Sequence, residues 1–280
     1  MLAIHQESLS SSDFERIAAY VFCRAGLRLT DNKRSMVEGR LRHRLKALKL
    51  ATFEAYTDYV FGPQGQLESV YLVESLTTHK THFFREQQHF DYLRQHYLPL
   101  WVDRPNNASR TLKVWSAGCS TGEEAYSLAM LLLEWNQYHQ KIKFEVYATD
   151  ISRAVVVKAV NGLYREAEVS DVPLALRQKY FLRSVANTNV VKMGPELQSC
   201  VSFGTLNLLN DHYTLPGRFD IIFCRNVLIY FDRPTEEKVI NQLCRKLKPQ
   251  GHLFLGHSES ITGLNVPLDT LGATTYKLKG

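Results

Sequence analysis

A glycine turn followed by paired carboxylates is the part of this sequence best suited to chemistry. Gly118 and Gly122 bracket the turn, and Glu123 and Glu124 follow it directly. Glycines let a ligand approach bare backbone, and a helix that begins there presents free N–H groups to it. The turn matches neither G-x-x-x-x-G-K-[ST] nor G-x-G-x-x-G, so it does not indicate a phosphate-binding loop. Carboxylates instead suit hydroxyls, amines or a sulfonium.

The elements around the turn support a nucleoside ligand. The apolar run 112–117 predicts a strand before the turn, and apolar residues at helical spacing from Ala125 predict a helix after it. The next predicted strand, 144–149, ends at Asp150, the position at which a doubly wound sheet holds ribose hydroxyls. Together these residues favour an adenosyl ligand without phosphate, such as S-adenosylmethionine. An ordinary strand–helix turn with no ligand explains the same pattern.

The composition is that of a globular protein. The chain has 280 residues, 45% hydrophobic and 22% charged, enough for one large domain or two smaller ones. No apolar run approaches the roughly 20 residues that span a bilayer, and the N-terminus lacks a secretory pattern. The five cysteines form no C-x-x-C pair, which favours a reduced, cytoplasmic compartment and indicates no metal site. We expect a monomer without membrane insertion.

Residues 1–80 predict a separate helical domain with a basic second helix. Helical periodicity recurs throughout, and the helix at about 32–50 carries seven basic residues against one acid. Arg40, Arg42 and Arg44 are among the seven. A solvated face is the usual explanation for one such helix, but the excess favours a docking surface for an acidic helix or for nucleic acid.

A linker and an α/β domain follow this helical region. Residues 81–110 predict a polar linker and one helix over 87–101; the segment 77–86, dense in donors, suits a lid or a packed connector equally well. Strands and helices alternate across 111–280, which predicts a parallel sheet with helices on both faces. The alternation is interrupted over 163–200, where we expect an inserted β-subdomain, and the tail 274–278 predicts an antiparallel edge strand.

Polar residues gather where the predicted strands end. Ligands of open α/β sheets bind beyond the carboxyl ends of the strands, so these residues converge on one crevice. They are Gly118–Glu123, Asp150, Asn207, Leu208, Arg225, Asn226 and 256–259.

Several of these segments together resemble one protein family. They are TTHKTHFFRE, WSAGCSTGEEAYSLAM, ATDIS, LNLL, FDIIFCRNVLIYF and LKPQGHLFLGHSES. Each is weak alone, but in combination the chain closely resembles the CheR family of bacterial chemotaxis receptor methyltransferases over nearly its whole length. The resemblance implies a Rossmann-like S-adenosylmethionine-dependent methyltransferase domain with a small inserted β-subdomain, preceded by an all-α N-terminal domain.

The resemblance also implies an activity: methyl transfer from S-adenosyl-L-methionine to glutamate carboxylates of chemotaxis receptors, giving glutamate methyl esters and S-adenosyl-L-homocysteine. The family's tyrosine near the methyl group corresponds to Tyr230, and Arg85 is a second candidate catalytic residue. The implied cofactor-binding residues are His79, where many relatives have asparagine, Thr81, Arg85, Gly118, Glu123, Asp150, Asn207, Leu208, Arg225 and Asn226.

The implied partners are the cytoplasmic methylation helices of receptors, whose clustered glutamates suit Arg40, Arg42 and Arg44. Some relatives also bind a receptor's C-terminal pentapeptide through a glycine-containing loop of the inserted subdomain. The corresponding stretch here, 184–189, is shorter and has no glycine. We therefore expect this protein not to depend on a pentapeptide tether.

Three other functions are compatible with parts of the pattern. A nucleic-acid methyltransferase would explain the basic helix, but 32–50 lacks the interleaved aromatic residues typical of such surfaces. A cofactor-binding adaptor without catalysis is disfavoured because the positions other than His79 match the family. A small-molecule carboxyl methyltransferase would leave the helical domain unexplained.

Overall fold

The structure, a computed structural model, describes residues 8–103, 110–139, 142–183 and 189–280. The chain forms two compact units. The first comprises Met1–Thr78 with Tyr230–Thr235, and the second comprises His79–Ile229 with Glu236–Gly280. No helix among the described residues is long and apolar enough to cross a membrane.

The first unit is built from helices, as the sequence predicts. They are α1 Ser11–Ala25, α2 Arg34–Leu48, α3 Phe53–Phe61 and α4 Gln66–Leu76, with a 3₁₀ turn at Asp31–Lys33 before α2. Ser10 caps α1 by accepting the Asp13 N–H at 3.0 Å. Gly26 ends α1 in the left-handed region, where glycine carries no steric penalty.

The second unit opens with a helical segment that contains a π-helical turn. Its parts are α5 Gln87–Tyr92, the π-helical stretch Leu93–Tyr97 and α6 Leu98–Val102, where one regular helix was predicted. Pro99 in the first turn of α6 has no N–H to donate, and the wider turn immediately precedes it. Phe90, Leu93 and Tyr97 point into the core of this unit.

An α/β domain makes up the rest of the second unit. Its strands are β1 Thr111–Ala117, β2 Lys143–Asp150, β3 Leu163–Arg165, β4 Phe181–Arg183, β5 Val190–Met193, β6 Val201–Thr205, β7 Phe219–Cys224, β8 Leu247–Leu255, β9 Leu268–Gly272 and β10 Thr275–Leu278. Its helices are α7 Glu123–Tyr138, α8 Arg153–Asn161, α9 Leu174–Tyr180, α10 Pro195–Cys200 and α11 Arg233–Lys246, the last beginning in the segment grouped with the first unit.

The main sheet has the order β6-β2-β1-β7-β8-β10-β9. The first five strands are parallel, and β10 pairs antiparallel with β8 and β9. The tail strand is therefore antiparallel as predicted, but it lies inside the sheet, and the prediction that it forms the edge was wrong. The edge strand at this end of the sheet is β9, whose exposed residues 269–272 lack the apolar alternation by which strands are recognised.

The inserted subdomain is a three-stranded antiparallel sheet. Its order is β3-β5-β4, and Tyr164, Phe181, Val191 and Met193 bury one side of it in the core of the second unit. The loop on which the tether prediction depends lies almost entirely outside the described residues, which resume at 189.

Candidate functional site

Both glycines of the turn are required by close packing. Gly118 (φ +79°) ends β1 and donates its N–H to the Thr149 carbonyl at 2.8 Å. A Cβ at Gly118 would lie 2.5 Å from a methyl group of Val227, and one at Gly122 (φ +96°) would lie 2.8 Å from the Ala159 Cβ. The turn therefore brings bare backbone to the ends of β1 and β2.

Asp150 connects this turn to the next helix. Its carboxylate accepts the Ser120 N–H at 2.9 Å through Oδ2 and the Ser152 N–H at 3.0 Å through Oδ1. Ser152 in turn caps α8. The Asp150 side chain is buried, and a carboxylate oxygen has more than one lone pair with which to accept hydrogen bonds.

The adjacent glutamates at the start of α7 have different environments. The Thr121 hydroxyl donates to the Glu123 carboxylate at 2.6 Å, and burial raises the pKa of Glu123. Glu124 instead accepts the Ser116 hydroxyl at 2.6 Å and the Arg225 Nε–H at 2.7 Å. Glu123 is thus the candidate ligand group, and Glu124 belongs to a buried ion pair that the sequence did not reveal.

Arg225 lies at the centre of that ion-pair network. Beyond Glu124, its Nη1 donates to the Arg85 carbonyl at 2.6 Å and lies 3.4 Å from the Glu86 carboxylate. Its guanidinium packs over the Phe90 and Phe223 rings, and only 2% of the side chain is exposed. The Arg225 side chain therefore joins the linker to α7 and to the end of β7.

The linker before α5 makes hydrogen bonds to the glycine turn and to α7. The Ser120 hydroxyl donates to the His79 carbonyl at 2.9 Å, and the Phe84 N–H donates to the Ser127 hydroxyl at 2.9 Å. Phe84 and Glu86 adopt positive φ angles of 52° and 56°. Such angles cost roughly 1–3 kcal/mol each and persist only when the surroundings hold them. Here Ser127 holds Phe84, and Arg225 holds Glu86.

The loop after β6 lies at the same end of the sheet as Asp150. The Leu206 N–H donates to the Asp150 carbonyl at 2.9 Å, which brings Asn207 next to the end of β2. The Asn207 side-chain oxygen accepts the Leu209 N–H at 3.0 Å. Leu208 is buried, and its carbonyl accepts the Tyr213 hydroxyl.

The loop after β7 is organised by a glutamate that the sequence placed at the crevice without a role. The Glu259 carboxylate accepts backbone N–H groups of Asn226 (2.9 Å), Leu228 (2.7 Å), Ile229 (3.4 Å) and Gly256 (2.5 Å). Burial raises the pKa of Glu259, and these donors oppose that shift. This glutamate lies in GHSES, one of the segments that resemble the CheR family, and that resemblance is the sequence feature that points to it.

A cluster resembling a metal site lies beside the linker. Within the described ranges, potential ligand atoms of Glu86, His89 and His257 lie within 4.8 Å of one another. Arg225 Nη1 lies 3.2 Å from His89 Nδ1, so the guanidinium supplies the positive charge there. Burial and the Arg225 charge lower the pKa of His89 to about 4.

The predicted cofactor residues His79, Thr81, Arg85, Gly118, Glu123, Asp150, Asn207, Leu208, Arg225 and Asn226 all belong to the second unit. Thr81 and Arg85 are half-buried, and Arg85 donates to the Lys80 carbonyl. Tyr230 groups with the first unit, where its carbonyl accepts the Arg28 N–H at 3.1 Å.

The three arginines of α2 differ in what holds them. Arg40 donates to the Leu76 and Thr77 carbonyls at the end of α4. Arg44 forms a two-pronged pair with buried Glu68 at 2.8 and 2.6 Å. Arg42 is exposed, with its guanidinium 5.6 Å from the centre of the Phe53 ring.

The chemistry of the crevice fits S-adenosylmethionine. Buried carboxylate oxygens at Asp150 suit ribose hydroxyls, and a carboxylate at Glu123 suits positive charge. The glycine turn leaves backbone rather than side chains at the strand ends, and no lysine follows Gly122 to favour a phosphate. These groups match the cofactor that the resemblance implies.

Comparison with known proteins agrees with this chemistry. Residues 79–277 match the family described as "CheR methyltransferase, SAM binding domain", and residues 12–77 match "CheR methyltransferase, all-alpha domain". A chemotaxis protein methyltransferase of Escherichia coli is 40% identical over 97% of this chain and 92% of its own length. One of Borreliella burgdorferi is 34% identical over 96% of this chain and 95% of its own length. The chain therefore belongs to the CheR family of S-adenosylmethionine-dependent chemotaxis methyltransferases.

Proposed function

We propose that this protein methylates glutamate side chains of chemotaxis receptors, acting as a monomer in the cytoplasm. The observation that carries the proposal is the match to both parts of CheR methyltransferases along one chain. Exposed basic residues on α2 support an acidic protein substrate, since receptor methylation helices carry clustered glutamates.

We assign each cofactor-binding residue to the part of the cofactor that its chemistry suits. S-adenosylmethionine supplies a methyl group on a sulfonium sulfur. Asp150 accepts hydrogen bonds from the ribose hydroxyls, and Arg85 pairs with the cofactor carboxylate through a charge-assisted bond. Glu123 binds near the positively charged amino group of the cofactor, or it stabilises the glycine turn.

The remaining contacts complete the crevice. Gly118 offers its backbone, while Asn207, Leu208 and Asn226 border the crevice at the ends of β6 and β7. His79 and Thr81 contribute from the linker. The resemblance implies that Arg225 contacts the cofactor. We propose instead that it acts indirectly, by holding the Arg85 carbonyl and Glu86 in place.

The substrate needs little activation. A glutamate side chain has a pKa of about 4.3, so it is already an anion at neutral pH and requires no general base. The protein's task is to position that carboxylate and to exclude water from a reaction that neutralises charge. Tyr230 is proposed to orient the incoming carboxylate through its hydroxyl, and Arg85 is the second proposed catalytic residue.

Receptor recognition is proposed to depend on Arg40, Arg42 and Arg44, and Arg42 gives the clean test. Arg42→Glu should lower the initial rate of receptor methylation about fivefold, a gap that narrows with salt because exposed charges are screened. S-adenosylhomocysteine affinity should stay unchanged. The measurement is labelled-methyl transfer at two salt concentrations.

The control for that variant is Arg24→Glu, an exposed arginine on α1. Equal rate loss in both variants would reduce the effect to net charge and contradict a specific role for Arg42. Arg44→Glu is less informative, because loss of the Glu68 pair leaves a buried carboxylate uncompensated at a cost of roughly 3–5 kcal/mol.

The whole proposal is tested by transfer of labelled methyl groups to a panel of receptor cytoplasmic fragments, followed by mild base. Label released as methanol identifies carboxyl esters. Fragments with and without their C-terminal peptide should be methylated equally, because we propose no dependence on a tether. Tight cofactor binding with no transfer to any fragment, or label transferred to RNA, would overturn the substrate assignment.

A further inference from the structure

The loop after β7 folds around a carboxylate that the chain itself supplies. Asn226 adopts a left-handed backbone conformation (φ 61°), and the N–H groups of Asn226, Leu228 and Ile229 all point at the Glu259 side chain. Successive N–H groups arranged in this way form a concave site for an anion. Here Glu259, 5% exposed, occupies it.

The same carboxylate joins a second strand end to this loop. The Gly256 N–H, at the end of β8, donates to Glu259 at 2.5 Å. A Cβ at Gly256 would lie 2.8 Å from the Asn226 nitrogen and 2.9 Å from Glu259 Oε2, so the position has no room for a side chain. The loops after β7 and β8 are therefore held together by one buried negative charge.

The loop conformation would be unstable without the Glu259 carboxylate. Without an acceptor, the Asn226, Leu228 and Gly256 N–H groups would face each other in a buried space, and each unsatisfied group would carry a desolvation cost. The left-handed conformation of a non-glycine residue adds to that cost. The loop would relax to another conformation if the carboxylate were removed.

We propose that Glu259 is a positioning residue of the methyltransferase: its carboxylate is the anion that folds residues 226–229 into the shape the cofactor site requires. The inference rests on the proposed function to the extent that Asn226 borders bound cofactor. Glu259 accepts hydrogen bonds from backbone N–H groups of the protein, so we assign it a role that acts through the loop.

The test measures S-adenosylhomocysteine affinity by calorimetry in Glu259→Ala. The dissociation constant should rise at least about tenfold, as expected when several hydrogen bonds to a charged group are lost. Sodium acetate supplies the atoms that the substitution removes, so it should recover part of the lost affinity, whereas sodium chloride of equal ionic strength should not. Rescue by a small carboxylate distinguishes an anion in the loop from general loss of structure.

Two variants provide controls. Glu259→Gln fills the space and retains one acceptor oxygen, so acetate should have no effect on it. Glu196→Ala removes an exposed glutamate of α10 and should leave affinity unchanged. Should Glu259→Ala fail to fold, Glu259→Asp retracts the carboxylate by one methylene and should still raise the dissociation constant by about fivefold.

Affinity within twofold of the unmodified protein in Glu259→Ala would overturn the proposal, as would its full loss without any response to acetate. If Glu259→Asp has to replace Glu259→Ala, an affinity of Glu259→Asp within twofold of the unmodified protein would also overturn the proposal. Because cofactor binding involves no receptor, failure of the receptor assignment would leave these results interpretable.

Discussion

Arg225→Met should lower the free energy of unfolding by about 3–5 kcal/mol, the cost expected when one partner of a buried ion pair is removed. Methionine fills the space between the Phe90 and Phe223 rings, but it leaves the Glu124 and Glu86 carboxylates, 10% and 8% exposed, without their shared cation. The Arg85 carbonyl would also lose its donor. Urea denaturation at pH 7 measures the change.

The deficit should depend on pH in a defined direction. Burial alone would raise the pKa of Glu86, but Arg225 together with hydrogen bonds from His257 and Asn226 lowers it. A carboxyl with a lowered folded-state pKa stabilises the protein above its unfolded-state pKa and loses that contribution as the pH falls through its folded-state pKa. Without Arg225 the Glu86 pKa rises, so the deficit of Arg225→Met should be largest at neutral pH and smaller near pH 4.

His89 supplies a spectroscopic readout of the same substitution. Its pKa of about 4 reflects burial first and the Arg225 charge second, so the ring is neutral in the folded protein at pH 6. Loss of Arg225 should move its NMR titration upward. An unchanged His89 titration would contradict the arrangement of charges described here.

Matched variants separate charge from geometry at this position. Arg225→Lys keeps the charge but cannot reach Glu124 and the Arg85 carbonyl together, because lysine lacks the guanidinium fork. It should have intermediate stability. Arg218→Met, at an exposed site in the same unit, should change stability by less than about 0.5 kcal/mol. Equal stability of Arg225→Met and the unmodified protein would show that the network contributes nothing net.

Asp150→Ala should weaken S-adenosylhomocysteine binding at least about 100-fold, or about 2.7 kcal/mol, since hydrogen bonds to a charged acceptor contribute roughly 1.5–3 kcal/mol each. Two effects combine in this loss. Under the proposed function the ribose hydroxyls lose their acceptor. The Ser120 and Ser152 N–H groups lose theirs as well. Calorimetry gives the affinity, with Asp269→Asn on the exposed edge strand as the control.

A modified ligand separates the two effects. An S-adenosylhomocysteine analogue without ribose hydroxyls should bind the unmodified protein and Asp150→Ala with affinities much closer together, because the double-mutant comparison removes the shared contact. If both ligands lose affinity equally, Asp150 acts only by shaping the turn. The proposal that Asp150 binds the ribose hydroxyls directly would then be wrong.

Local sequence was enough to predict most elements of the fold. The helices of the first unit and the alternating strands and helices of the second follow from apolar periodicity, which reports which side of an element is buried. The inserted β-subdomain was expected where that alternation is interrupted, but its three-stranded order was not predicted. The β9 edge strand and the π-helical turn at Leu93–Tyr97 did not follow. An exposed edge strand buries too little to leave a pattern, and the wider turn differs from its neighbours only in backbone hydrogen bonding.

The residue types of the crevice were likewise visible in the sequence, because the carboxyl ends of parallel strands meet at one edge of a sheet. Gly118, Glu123 and Asp150 could be placed there from the strands that precede them. What each polar group bonds to could not. Glu124 and Arg225 are 101 residues apart in the chain, and no local pattern encodes such a pairing.

Tertiary structure alone therefore decided which charged residues are paired inside the protein and which are left exposed or outside the ion-pair network. Arg42 and Arg44 lie on the same basic helix, yet one is exposed and the other is paired with buried Glu68. Glu123 and Glu124 are neighbours, yet only the second joins the Arg225 network. The physical reason is that a carboxylate or guanidinium has the same chemistry in either setting, and its role depends on burial and on partners brought together by folding.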